Sequence, residues 1–166
     1  EPLGQAWLPD LQVMTAREQG GSTAGWYVAA KGGHNGENHN HNDVGQFIIL
    51  LDDAPVLIDV RPEAYPRQTF SDRRYELWTH RASGHNVPLA NGIEQVKGRE
   101  HAATAVKFTA TQAARTLAMD IAPAYPAEAG IKSLRRTITH ISGAPGTITI
   151  TDEISMSQGP LMAVIP

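Results

Sequence analysis

Ser133-Leu134-Arg135-Arg136-Thr137-Ile138-Thr139-His140-Ile141, the break Ser142-Gly143-Ala144-Pro145-Gly146, and Thr147-Ile148-Thr149-Ile150-Thr151-Asp152-Glu153-Ile154 decide the fold class. Thr137-Ile138-Thr139 and Thr147 to Thr151 alternate β-branched apolar with polar residues at a period of two, the signature of strands with one dry and one wet face. The Gly-Pro-Gly break between them is a turn, so the pair reads as a hairpin. Upstream the same pattern recurs. Leu11 to Arg17 alternates with Leu11, Val13 and Thr15 on one face, and Trp26 to Ala30 follows a turn at Gly20-Gly21. Phe47 to Leu51 and Val56 to Ile58 flank Asp52-Asp53-Ala54-Pro55 and read as a hairpin with at least one strand buried on both faces. Thr104 to Thr109, Thr116 to Ile121 and Val87 to Ala90 are further candidates. With 15 glycines and 11 prolines spread along the chain, long helices have little room; only Phe70 to His80, with Ser71-Asp72 as a cap, reads as helical. The expectation is an all-β, antiparallel β-sandwich forming a single domain over residues 1–166.

At 166 residues the chain is long enough to bury an ordinary core, and 41% hydrophobic with 19% charged residues is a globular composition. A formal net charge of -3 gives no general affinity for nucleic acid, so any polyanion must be held by a local group of Arg and Lys. The absence of cysteine excludes disulfides and thiolate zinc sites. No apolar run approaches the ~18 residues of a membrane-spanning helix. The opening Glu1-Pro2-Leu3-Gly4 and the apolar closing stretch Leu161 to Pro166 lead us to expect a fragment of a larger protein.

Gly32-Gly33-His34-Asn35-Gly36-Glu37-Asn38-His39-Asn40-His41-Asn42-Asp43 holds three of the seven histidines and four asparagines. If this segment is extended, His39, His41 and Asp43 share one side, with the imidazoles roughly 7 Å apart, and the asparagine amides on the other side tie down neighbouring loops. The competing reading is a solvated polar turn. Asp59 ends an apolar strand, where a carboxylate needs water or a cation, and His85-Asn86 precedes another strand. Two neutral imidazoles, one carboxylate and an open position make a tetrahedral zinc set from His41, Asp59 and His85, with too few oxygens for Mg²⁺ or Ca²⁺. Against this stands the reading of Asp59 and His85 as unrelated surface residues. A cupin would place Glu where Gly45 and Gln46 stand, and contiguous His-Asn-His is not the spread-out nuclease motif.

Arg61, Arg67, Arg73, Arg74 and Arg81 are five of the 14 cationic residues, interleaved with Tyr65, Phe70, Tyr75 and Trp78. Guanidinium forks suit carboxylates and sulfates, and Arg67 and Arg74 are the candidate substrate contacts. The alternative is a solvated loop offset by Glu63, Asp72 and Glu76.

Taken in order, His39-Asn40-His41-Asn42-Asp43-Val44-Gly45, Leu57-Ile58-Asp59, Gln68-Thr69-Phe70-Ser71, Arg74 to Thr79, His85-Asn86-Val87-Pro88 and Asn91-Gly92 resemble the β-sheet domain of the heparinase II/III family of polysaccharide lyases. The resemblance implies a β-sandwich paired with an α/α toroid that these 166 residues do not contain. It implies a divalent metal, zinc by donor type, on His41, Asp59 and His85, and an active-site role for His39. The substrate would be an acidic polysaccharide, cleaved by β-elimination in a periplasmic or secreted enzyme. Tyr65 is the candidate proton-transfer tyrosine, with Tyr75 second. After Asp59 the family runs through glycine, whereas this chain has Val60-Arg61-Pro62-Glu63. Alone, the chain is expected to lack part of the active site and to show no lyase activity. The rival expectation is a non-catalytic, metal-stabilised sandwich that binds carbohydrate or packs on a partner.

Overall fold

The alternation predicted for residues 133–154 is realised as the longest strand pair of the protein. The structure, a computed structural model, describes residues 1–60, 66–157, 159 and 161–164. Among these the strands are Gln5–Leu8 (β1), Val13–Arg17 (β2), Trp26–Lys31 (β3), His34–Asn35 (β4), Phe47–Leu51 (β5), Ala54–Leu57 (β6), Leu89–Ala90 (β7), Gly98–Ala102 (β8), Thr104–Ala110 (β9), Ala114–Asp120 (β10), Ile131–Ile141 (β11), Thr147–Met156 (β12) and Ala163–Val164 (β13). They form a five-stranded sheet β1-β2-β3-β5-β6, a four-stranded sheet β12-β11-β10-β9, and two small pairs, β13-β7 and β4-β8. Every pairing is antiparallel. The protein is an all-β sandwich.

The two large sheets face each other across one core. Met14, Ala16, Val28, Ala30, Phe47 and Ile49 come from one sheet, and Leu117, Met119, Leu134 and Ile138 from the other. Ile138 is fully buried while Thr137 and Thr139 beside it are half-buried, as the period of two requires. Burying such a side chain contributes about 1.5–3 kcal/mol. In β2 the dry face is Met14 and Ala16, so Val13 and Thr15 are on the outward face, and Leu11 lies before the strand and is exposed.

Two expectations are corrected. Ala54–Leu57 is exposed along its whole length because β6 is the edge strand of its sheet. β5 buries Phe47 and Ile49 on one face while Ile48 and Leu50 on the other are only half-buried, so neither strand of the hairpin is buried on both faces. The hairpin turn itself is Asp52-Asp53, both at positive φ (52° and 64°), a turn conformation that matches strand twist. The segment read as helical, Phe70 to His80, is instead part of a series of 3-10 turns, Arg67–Phe70, Asp72–Glu76, Trp78–His80 and Ala82–Gly84. Ser71 caps the second of these by accepting from the Arg73 amide at 3.3 Å. No continuous helical stripe is buried here. Thr69, Thr79, His80, Ala82 and Gly84 go inside while Phe70 and Trp78 stay exposed, and short turns meet that pattern where one long helix does not.

The inward face of β11 carries two polar residues, Arg136 and His140, both fully buried. Arg136 makes a two-pronged contact with Asp152 (2.7 and 2.6 Å) and donates to the carbonyls of Gly45 (2.9 Å) and Asn86 (2.7 Å). It therefore pins two loops of the opposite sheet, the ones that carry His41 and His85.

Candidate metal centre and adjoining cleft

Residues 38–46 are a loop and not an extended strand. His39 has φ 58°, so the chain turns there, and the shared-side argument for His39, His41 and Asp43 does not hold. The turn nevertheless delivers His39 to the same place. His39, His41, Thr69, Arg74 and His80 line one cleft of about 220 Å³. His39 is exposed at its rim, its ring edge-on to Phe70 at 6.0 Å.

Buried amides hold this loop. Asn40 Nδ2 donates to Tyr75 Oη (3.1 Å) and Asn42 Oδ1 (3.3 Å), and Asn42 Nδ2 donates to the Gln95 carbonyl (3.2 Å). The Gln95 side chain accepts from Val44 N at 3.0 Å and donates to Val44 O at 2.8 Å. Of Asn38, Asn40 and Asn42, the asparagines opposite His39 and His41 in the extended reading, Asn40 and Asn42 thus tie down loops as expected, while Asn38 is exposed. Gly45, at φ 91°, closes the loop with the Ile121 methyl only 3.0 Å from where a Cβ would stand.

His85 is set by the Ala82–Gly84 turn, its amide bonding to Ala82 O at 3.1 Å. Asn86 beside it donates through Nδ2 to Phe47 O (2.9 Å) and Ile58 O (3.2 Å), which brings the end of the β6 segment, and Asp59, against His85. The three residues predicted as ligands form a series. Asp59 Oδ1 lies 2.5 Å from His85 Nδ1, and His85 Nε2 lies 3.3 Å from His41 Nδ1. That last separation is also the edge length of a tetrahedron with two zinc–imidazole bonds of ~2.0–2.1 Å. Asp59, on the far nitrogen of His85, stands where a carboxylate orients a ligating ring. A second grouping uses Asp43: ligand atoms of Asp43, Asp59 and His85 lie within 4.8 Å of one another. Asp43 and His85 are buried, Asp59 half so, and this group can hold a metal ion. Asp43 is anchored by Lys31 Nζ at 2.9 Å.

Electrostatics favour neutral imidazoles. Burial, then the neighbouring His80 and His85, lowers the pKa of His41 from 6.5 to about 4. Burial, Arg74 and His85 lower that of His80. Free ring nitrogens at neutral pH are what a metal requires.

The structure brings together His39, His41, Asp59, His85 and Arg74. Arg67 is exposed on the first 3-10 turn and is not among the residues lining the cleft. Tyr65 lies outside the described residues, as does Arg61. Tyr75, the second tyrosine, borders the depression that His39 and Arg74 share. Sequence reasoning missed His80, whose ring lies 4.3 Å from that of His41. The contact follows from a backbone bond, Asn42 N to His80 O at 3.0 Å, that nothing in the local sequence announces. The chain matches no protein-family model, and no curated protein matches it.

Proposed function

We propose that this chain is the metal-binding β-sandwich of a polysaccharide lyase that cleaves uronic-acid-containing glycans by β-elimination, and that the metal is zinc. The observation that carries the reading is one cleft lined by His39, His41 and Arg74, backed by the His41–His85–Asp59 series. Elimination needs three groups. A cation must neutralise the sugar carboxylate, a base must take the C5 proton, and an acid must protonate the departing glycosidic oxygen. Arg74 supplies the cation and His39 a proton-transfer group. The electron pair of the C5–H bond becomes the new double bond as the C4–O bond breaks. Tyr75, hydrogen-bonded to Asn40, is the tyrosine for the second proton transfer. When bound, the metal fixes the two imidazoles and adds positive charge beside the cleft; elimination consumes no water for it to activate. The α/α toroid of the resemblance would close the open side, and a periplasmic or secreted setting follows from the same resemblance.

The test has two parts. Elemental analysis of unchelated protein should show about one zinc per chain, and His41→Ala should abolish it. With the toroid supplied in the same chain, a uronate panel should yield unsaturated product by absorbance, and His39→Ala should lower turnover ~10²–10⁴-fold, the usual effect of losing a proton-transfer group. Near-wild-type turnover in that variant rejects the catalytic role. The complete burial of the His85 side chain also suits a non-catalytic, metal-stabilised carbohydrate-binding sandwich. That reading gains if metal binding survives intact but no glycan is cleaved.

A further inference from the structure

Two carboxylates, Asp43 and Asp59, stand near the same imidazole. Asp59 Oδ1 lies 2.5 Å from His85 Nδ1, while the other ring nitrogen, Nε2, lies 3.3 Å from His41 Nδ1. The two rings therefore turn nitrogens toward each other, and Asp59 sits on the nitrogen that does not take part. A metal between the rings leaves the Asp59–His85 bond intact. A metal bound to Asp59 as well must either use Nδ1, which breaks that bond and leaves His41 out, or draw the carboxylate around the ring.

Asp43 is better placed. It lies two residues after His41 in the same loop, and its side chain is 12% exposed against 37% for Asp59. The more buried carboxylate has the greater need of a cation. A ligand oxygen of Asp43 lies within 4.8 Å of a ligand nitrogen of His85. Of the two acids, Asp43 acts more strongly on His41. Its backbone is held on both sides, the amide donating to Asn35 Oδ1 at 3.2 Å and the carbonyl accepting from Gln46 N at 3.0 Å. Reaching a bond of ~2.0–2.2 Å to an ion is then a matter of side-chain rotation.

Lys31 does not stand in the way. Its Nζ lies 2.9 Å from Asp43 Oδ1, and Oδ2 makes no hydrogen bond among the described residues. Ligating carboxylates are themselves hydrogen-bonded as a rule, so Lys31 on one oxygen is what a ligand at the other would have. The ammonium is also shared with Glu37 at 3.9 Å, so its charge is already opposed.

We propose that Asp43, and not Asp59, is the carboxylate ligand of the metal, beside His41 Nδ1 and His85 Nε2, and that Asp59 fixes the tautomer and orientation of His85 from Nδ1. This rests on the metal reading above and reassigns one ligand within it.

The test is zinc affinity, by competition with a chromophoric chelator, for the wild-type chain, Asp43→Asn and Asp59→Asn. Asp59→Asn should still take up about one zinc per chain, with affinity ~10–100-fold lower, the usual effect of losing a residue that orients a ligand. Asp43→Asn should lose more than that. Cobalt reads ligation directly. The chain has no cysteine, so a thiolate-to-cobalt charge-transfer band in Asp43→Cys can come only from the introduced thiol. The band is expected there and not in Asp59→Cys. A band in Asp59→Cys, or zinc lost by Asp59→Asn and kept within tenfold by Asp43→Asn, overturns the proposal. Asp59 is half-buried just past β6, so its variant decides the matter even if Asp43→Asn fails to fold: zinc retained supports the assignment, and zinc lost overturns it. A wild-type chain that takes up no zinc rejects the metal reading itself, whichever carboxylate is concerned.

Discussion

Acidifying the metal-free chain should unfold it through His41 before most other groups respond. In the unfolded chain this imidazole protonates near 6.5; in the folded protein burial and the rings of His80 and His85 hold it to about 4. Between those values the unfolded state binds more protons, so stability rises with pH across that window. The contribution is fully present above about 6.5 and is lost as pH falls toward 4. The gap is worth at most about 3 kcal/mol. For a domain of this size that is roughly 6–12 °C in melting temperature. The assay is thermal melting in a strong chelator from pH 7.5 to pH 4.5, for the wild type and for His41→Gln. His80 and His140 are also lowered by burial and are present in both proteins, so the difference between the two pH profiles isolates His41. The variant should lose a substantial share of the acid sensitivity. Parallel profiles, or an imidazole resonance of His41 titrating above pH 6, would refute the reasoning.

Other outcomes follow from the same contacts. Arg136→Ala should destabilise by ~3–5 kcal/mol in denaturant titrations, because it leaves the half-buried Asp152 carboxylate without its cation and frees the carbonyls of Gly45 and Asn86. Its loss should also weaken metal binding measured by competition, since those carbonyls belong to the two loops that carry the candidate ligands. Gly45→Ala places a Cβ at φ 91° against Ile121 and should cost on the order of 1–3 kcal/mol, with reduced metal affinity. Zinc at ~100 times its dissociation constant should add roughly 2.7 kcal/mol of stability. Identical melts with and without chelator, after verified metal removal, would count against a metal bound in the folded state.

The all-β class was legible because strand pairing depends on a local period. Thr137-Ile138-Thr139 can bury Ile138 only if its neighbours face out, and that constraint is written in adjacent residues. Glycine and proline likewise mark turns through their own backbone freedom or lack of it. The site was legible in a different way, as residue types: His39, His41, Asp59, His85 and Arg74 could be nominated from chemistry and resemblance, while their relative placement could not. His39 reaches its cleft through a left-handed turn and not along a strand. Asp59 meets His85 across 26 positions because Asn86 bonds to Ile58 O. His80 stacks on His41 because a backbone bond joins Asn42 to it, in a segment whose local sequence suggested a helix. Arg136, placed by its strand period on the dry face, is tolerable there only because Asp152 and two carbonyls from the other sheet converge on it. Each of these depends on partners far apart in the chain. A local pattern fixes which way a side chain points; only the packed sheets decide what it meets.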